Sequence, residues 1–282
     1  MALIVNTNIA SLNAQRNLAE NRAALDVSVQ RLSSGLRINT AADDAAGLSI
    51  SERLRAFTRG INQAVRNAQD GVSLLQTAEG GQREIGRILT RMRELATQSA
   101  NGTLDTTARA ALDTEYQQLI IEINRIVSVT EFNGVRLIDG SQSATGIALQ
   151  VGFRATLDDR ITVLSGMGAS TTAAISVTGT VASSIATQAG AQSALPFIDS
   201  AIAVMASRRG ELGAFQNRLD NTISNLRIAS ENFTAADSRI RDADFAAETA
   251  MFTRNQILSQ GATAILAQAN ILPRDALTLL RF

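Results

Sequence analysis

Cysteine, histidine, tryptophan and lysine are all missing from this 282-residue chain, and proline occurs only twice. Without imidazole or thiolate ligands, zinc, iron and copper sites of the ordinary type are excluded. His-dependent triads and lysine Schiff bases go with them. The 26 basic residues are therefore all arginine, balanced by 26 acidic residues to a net charge of zero. With the two signs interspersed there is no electrostatic footprint for nucleic acid. No apolar run approaches the roughly 20 residues of a spanning helix, so no membrane insertion is expected. The opening MALIVNTNIA lacks the charged start and apolar stretch of a cleavable secretory signal. A chain without disulfides suits a reducing cytosol or passage between compartments in an unfolded state. No catalytic, cofactor or metal site is expected.

Scarce proline favours long helices, since proline removes a helical hydrogen bond and clashes with the preceding turn. Pro196 stands where a C-terminal apolar seam begins, a favoured place for it, whereas Pro273 interrupts a seam and should loosen the last turns. That seam places Ile198, Met205, Leu212, Leu219, Leu226, Phe233, Ile240 and Ala247 at intervals of seven, with Ala201, Phe215, Ala229, Ala236 and Ala243 beside them. A run of this length reads as coiled coil, and a helix covering it would be ~75 Å long. After Ala247 the register shifts by four and resumes as Met251, Leu258, Ile265, Leu272 and Leu279, a stutter that makes a joint between two packing environments. Near the N-terminus Ile4, Leu18, Leu25 and Leu32 share one row, with Val29 and Leu36 beside it. Ile50, Phe57, Ala64, Ala78, Ile85 and Met92 then pair with Leu54, Ile61, Ala68, Leu75, Leu89 and Ala96. A third seam runs Leu112, Tyr116, Leu119, Ile123, Ile126. Distant seams that need each other imply nested domains, with both termini in one, and a rod of long helices.

The middle changes character. Asn133-Gly134 and Asp139-Gly140 are turn signals flanking a short strand from Val135 to Ile138. Ile147, Leu149, Val151 and Phe153 alternate with smaller or polar residues, and Ile161 to Leu164 is another apolar run, so a hairpin-rich patch is expected over about residues 135 to 165. From Ser165 to Ala194 small and hydroxylated residues dominate with no charge; so little bulk to bury suggests a surface loop, a poorly ordered tip or weak strands. The fold class is mainly α, with coiled-coil helices from both termini and a small β-hairpin patch.

Several stretches carry a resemblance to the bacterial flagellins. NTNIASLNAQRNL at Asn6–Leu18, RLSSGLRINTAADDAAGLSISERLRA at Arg31–Ala56 and EFNGVRLIDG at Glu131–Gly140 resemble the family's N-terminal signature. RRGELGAFQNRLDNTISNL at Arg208–Leu226, RIRDADFAAETAMFTRNQIL at Arg239–Leu258 and AILAQANILP at Ala264–Pro273 resemble its C-terminal partner. The resemblance implies an inner terminal coiled-coil domain at about 1–42 plus 243–282, a helical rod domain with β-hairpins at 43–165 plus 194–242, and a short variable surface segment at 166–193. It implies a structural subunit that polymerises into the flagellar filament for swimming motility, located outside the cell after unfolded export through the flagellar apparatus. The implied partners are further copies of the chain, a secretion chaperone, the filament cap and hook-junction proteins. Alternatives are a hook-filament junction protein or a cytosolic coiled-coil scaffold.

Physically, a short amphipathic helix alone in water is marginal. Residues 1 to about 40 and 245 to 282 are therefore expected to order on assembly, with Leu18, Leu25, Leu32, Met251, Leu258, Ile265, Leu272 and Leu279 as the assembly seam. ILTRMRELATQ at Ile88–Gln98 resembles the flagellin segment read by a vertebrate innate immune receptor, with Arg91, Leu95 and Glu115 matching the contacts and Thr90 where glutamine is common. The resemblance also implies O-glycosylation on the Ser/Thr tract, at Ser165, Ser170, Thr171, Thr172, Ser176, Thr178 and Thr180. Other features have plainer readings. Asp43 and Asp44 precede a helix and are expected to cap it rather than catalyse or bind metal. Asp237, Asp242 and Asp244 are expected on a solvated helix face. Gly80 and Gly81 interrupt a helical seam at a cost of roughly 1 kcal/mol each. The short Asn-x-Thr matches at Asn101 and Asn232 are taken as coincidence.

Overall fold

The computed structural model describes residues 7–174 and 184–279, with side chains in the last helix described as far as Ile271. Ile4, Ser176, Thr178 and Thr180, and the side chains of Leu272, Pro273 and Leu279, lie outside the described residues. Five helices dominate: α1 (Ile9–Ser34), α2 (Ala45–Ser99), α3 (Thr106–Val129), α4 (Gln188–Arg241) and α5 (Phe245–Leu279). Four short strands lie between α3 and α4: β1 (Glu131–Phe132), β2 (Val135–Arg136), β3 (Ile147–Gln150) and β4 (Arg160–Val163). The fold is mainly α with a β-hairpin patch.

Two compact units divide the chain. One holds residues 1–58 and 231–282, the other 59–230. The termini thus share a unit, and the division lies further from both chain ends than 42 and 243.

In the unit of residues 59–230, α2, α3 and α4 bury their heptad rows in one core. From α2 come Ala68, Leu75, Ala78, Ile85, Leu89, Met92 and Ala96; from α3 Tyr116, Ile123 and Ile126; from α4 Ile198, Met205, Leu212 and Leu219. Asp105 caps α3, its carboxylate accepting from the Ala108 N–H at 2.8 Å. The β1–β2 hairpin turns through Asn133 and Gly134, both at positive φ (51° and 77°), as an Asn-Gly turn requires. The β3–β4 pair is antiparallel with Leu149 opposite Ile161, and Ile161 and Val163 are buried in the core while Arg160 and Thr162 are exposed. At Gly81, in α2, an added Cβ would lie 2.8 Å from Thr130 Oγ1 and 3.1 Å from Ile138 Cδ1. That glycine lets the end of α3 and the hairpin close onto α2, whereas its neighbour Gly80 faces open space.

Three expectations are corrected. Pro196 sits inside α4 rather than in its first turn. The Thr187 hydroxyl accepts from the Gly190 N–H at 3.1 Å and starts the helix earlier. Second, the tract after Ser165 is not a surface excursion where it is described. The Ser170 N–H donates to the Ile138 carbonyl at 2.8 Å, the Ile185 N–H to Asp113 Oδ1 at 2.6 Å, and Met167 and Ile185 are buried. Backbone bonds and two large side chains anchor a tract whose composition is otherwise small. Third, the long C-terminal helix is two helices: α4 ends at Arg241 and α5 starts at Phe245, so Ala247 is exposed and no longer in the seam. Asp244 therefore caps α5, accepting from the Ala246 and Ala247 N–H groups at 2.9 and 3.2 Å, instead of lining a helix face. One stretch of α4 also has the length and apolar composition of a membrane-crossing helix. Ala191, Ala194, Ile198, Ala201 and Met205 on that helix are buried within the unit.

Candidate assembly interface

The first unit contains the feature that bears on function. α1 and α5 run antiparallel: the start of α1 meets the end of α5, and the reverse. The Asn8 side chain caps α1 by accepting from the Ser11 N–H at 3.0 Å while donating to the Ala269 carbonyl at 2.8 Å. Ser11 Oγ donates to Asn270 Oδ1 at 2.8 Å. At the other end Arg31 faces Glu248 at 3.6 Å, with Arg31 Nε and Glu248 Oε1 buried and without hydrogen-bond partners among the described residues. Gly35, in the left-handed region at φ 71°, ends α1. Its carbonyl accepts from Ala243 at 3.0 Å, and the Arg37 N–H donates to the Arg241 carbonyl at 2.6 Å. The turn after α1 and the break between α4 and α5 are thereby tied. Nearby, the buried Ser51 hydroxyl donates to Asp237 at 2.6 Å and Arg241 pairs with Glu52 at 2.9 Å.

What lies between α1 and α5 is a heptad seam of modest residues. α1 contributes Ser11, Ala14, Leu18, Asn21, Leu25, Ser28 and Leu32; α5 contributes Glu248, Phe252, Asn255, Ser259, Ala262, Leu266 and Ala269, all buried or half-buried. Both rows alternate threes and fours, the coiled-coil spacing. Leu18, Leu25 and Leu32 thus face α5. The apolar row that dominates the sequence of α5 faces away: Met251 is 49% exposed, Leu258 47% and Ile265 64%. Ile257, Ile271 and Phe245 are exposed on other faces of α5, and Ile9, Leu12, Val27 and Val29 are exposed on α1. Single exposed apolar side chains are ordinary, whereas a continuous row marks an interaction surface. The inner row of α5 escapes a reading by hydrophobicity because serine, asparagine, alanine and glutamate outnumber Phe252 and Leu266 in it; its four-three spacing is the one signal that could have found it.

The acidic pair before α2 behaves as a cap. Asp44 Oδ1 accepts from the Gly47 N–H at 2.8 Å, and Asp43 Oδ2 accepts from the Thr40 N–H at 2.8 Å and the Asn39 N–H at 3.1 Å. Those backbone donors hold the Asp43 carboxyl below its ordinary pKa. Among the described residues no group of three or more His, Cys, Asp or Glu side chains could hold a metal ion.

In the other unit, Arg91 Nε meets Glu115 at 2.9 Å and Arg91 NH1 meets Glu94 at 3.0 Å, with all three side chains well exposed. Leu95 is not with them: it is fully buried in the core, seven residues after the buried Ile88 on α2, and it offers no surface to a receptor. Ser170 and Thr172 are likewise buried. Arg208, whose pKa burial lowers, donates to Ser170 Oγ at 2.9 Å, and Thr172 Oγ1 donates to Asn124 Oδ1 at 3.1 Å. Neither hydroxyl is open to a glycan, while Ser165 is exposed and Thr171 half-buried.

Comparison with known proteins adds the family. Residues 5–143 match the bacterial flagellin N-terminal helical region and residues 195–280 the bacterial flagellin C-terminal helical region. The chain is 48% identical over 283 residues to a flagellin of Halalkalibacterium halodurans, covering 99% of this chain and 100% of that one. It is 41% identical over 286 residues to the flagellar filament 30.7 kDa core protein of Treponema maltophilum, with 99% and 100% covered. A putative flagellar hook-associated protein from Vibrio parahaemolyticus shares the fold at 16% identity and a TM-score of 0.59, covering 71% of this chain and 100% of that one. Matched at both terminal regions and aligned to relatives over nearly its whole length, the chain belongs to the bacterial flagellin family.

Proposed function

We propose that this chain is a structural subunit that polymerises with copies of itself into the bacterial flagellar filament, outside the cell. The observation that carries the reading is the outward apolar row of Met251, Leu258 and Ile265 on a helix whose inner contacts are mostly small or polar. Burying a large apolar side chain stabilises by ~1.5–3 kcal/mol before entropy is counted. Three half-exposed residues per copy, repeated along a polymer, supply a driving force that the α1–α5 seam lacks. Leu272 and Leu279 continue the same row in sequence. The chain carries no catalytic role in this reading. Export in an unfolded state, a chaperone shielding the C-terminal helix, and capping and junction proteins at the filament ends belong to the same reading, which the family membership supports.

Negative-stain electron microscopy of purified protein, seeded or brought to assembly with a kosmotropic salt, tests this against Ile265→Asp and a chain lacking residues 251–282. Long uniform filaments from the unaltered chain and none from the other two are expected. Soluble dimers from all three would replace the filament reading with a scaffold or junction protein.

Two finer roles rest on single residues. Innate-receptor recognition would use the exposed Arg91–Glu115 pair without Leu95, and Arg91→Ala should silence a receptor-reporter assay; a response equal to wild type rejects it. O-glycosylation would fall on Ser165 or Thr171 among the described residues, and an intact mass equal to the bare polypeptide refutes it.

A further inference from the structure

Within the unit of residues 59–230, two surface features match each other and cannot meet in one chain. The first is a groove of 280 Å³ between α2 and α4. Its floor includes Met205 and Ile202, and its rim carries Arg83, Arg87 and Arg209. Arg87 and Arg209 have carboxylate neighbours, Glu84 at 3.2 Å and Glu79 at 3.6 Å, while Arg83 forms no ion pair among the described residues. The groove opens because position 86 is glycine: a Cβ there would meet no atom within 4 Å. A glycine in a helix interior costs about 1 kcal/mol relative to alanine, and no packing contact among the described residues requires one here.

The second feature is the loop between β3 and β4. Leu157 at its tip is 83% exposed, the most of any exposed large apolar residue described. Asp158 beside it is exposed and forms no ion pair among the described residues. The loop is nonetheless held. Asp159 Oδ2 accepts from the Arg154 N–H at 2.9 Å, Gln150 Nε2 donates to the Gly152 and Arg154 carbonyls at 3.0 and 2.8 Å, and the Arg154 guanidinium stacks on Phe153 at 5.1 Å. A fixed loop presenting a bare leucine has already met the ordering cost that binding would otherwise impose.

We infer that Leu157 and Asp158 of one copy seat in the groove at Gly86 of the next, the leucine over Met205 and the carboxylate against the arginine rim. Charge complementarity selects a second copy as the occupant: an apolar tip with a free acid meets an apolar floor with an unpaired guanidinium. The loop packs on α2 at Gly60, where Phe153 Cβ would lie 3.0 Å from an added Cβ. At ~1.5 Å per residue, Gly60 and Gly86 are some 39 Å apart along α2. The two features therefore meet only between chains, displaced lengthwise. Such a contact is head-to-tail, and repeated without closure it gives an open filament. The inference rests on the filament reading and names one of its contacts.

The test measures critical concentration for seeded assembly by sedimentation for the full-length chain, Gly86→Leu, Gly80→Leu and Asp158→Arg, with circular dichroism confirming that each is folded. Gly80 also faces open space but lies outside the groove. Gly86→Leu and Asp158→Arg should raise the critical concentration at least tenfold, Gly80→Leu less than twofold, and Arg83→Glu should partly restore Asp158→Arg. The chain has no cysteine, so a Leu157→Cys, Gly86→Cys double variant oxidised after assembly should give a ladder of covalent oligomers that neither single variant gives. Normal filaments from Gly86→Leu together with no ladder overturn the inference and leave the filament reading standing. Failure of the unaltered chain to assemble removes both.

Discussion

Tyr116 offers the sharpest test of the core. It is the chain's single tyrosine, it is fully buried in the core that α2, α3 and α4 share, and it is the one side chain expected to titrate between the carboxylates and the arginines. Burial first, and the charge of Asp113 second, push its pKa from 10.0 up to about 12. A folded pKa above the unfolded one means that the neutral phenol is favoured in the fold. Its contribution is complete below pH 10 and is lost as pH rises from 10 through about 12. A shift of this size corresponds to ~3 kcal/mol at the limit, most of it lost by pH 12. Denaturant unfolding followed by circular dichroism, for wild type and Tyr116→Phe at intervals from pH 8 to 12, reads the difference directly. Removing the hydroxyl sets a constant offset, so the quantity of interest is slope: wild type should weaken above pH 10 while Tyr116→Phe stays level. Parallel curves would refute the idea that an ionisation inside this core limits alkaline stability.

Adjacent glycines should respond in opposite directions. Gly80→Ala faces open space and should stabilise by roughly 0.5–1 kcal/mol. Gly81→Ala presses on Thr130, whose hydroxyl is held by a 2.6 Å bond to the Ile126 carbonyl, and should destabilise by about 1–3 kcal/mol in thermal unfolding. Trypsin should cut at Arg16, Arg22, Arg31 and Arg254 faster in monomer than in filament, because the inner seam of α1 and α5 buries little; equal rates would count against ordering on assembly. Asp43→Asn should flatten the acid limb of stability. The Asp43 carboxyl, lowered by its backbone donors, contributes above its ordinary value of 3.8 and loses that contribution as pH falls through the folded value.

The helical core was legible wherever large apolar residues marked the period. Nearly the whole α2 row from Ile61 to Ala96, and Ile198 to Leu219 on α4, are buried as their spacing requires. The hairpins followed from Asn133-Gly134, from the alternation that begins at Ile147 in β3 and from the apolar run Ile161 to Leu164. Three things were hidden. A helix end set by a few polar groups, as at Asp242–Asp244, leaves the apolar period running on across the break, so the joint reads as lying after Ala247 instead of before Phe245. A contact made through alanine and serine has no hydrophobic signature, so the inner face of α5 was masked by its louder outer row. Leu95 shows the reverse hazard: a residue matched to a surface role by family motif occupies a buried heptad position, and its burial depends on packing that a motif does not encode.

The small residues between α1 and α5 have a consequence for accuracy over distance. Alanines and serines spaced by heptads tolerate a slide of one repeat, ~10 Å, with little change in burial, so that stretch alone is a poor ruler. The pegs at its two ends, Asn8 and Ser11 on Ala269 and Asn270, and Arg31 on Glu248, are what set the height at which Met251, Leu258 and Ile265 are presented. In a polymer of many copies a slip in one hairpin would be passed to every neighbour that reads it. These few polar bonds act as the gauge blocks of the assembly, and their worth lies in dimensional tolerance more than in strength.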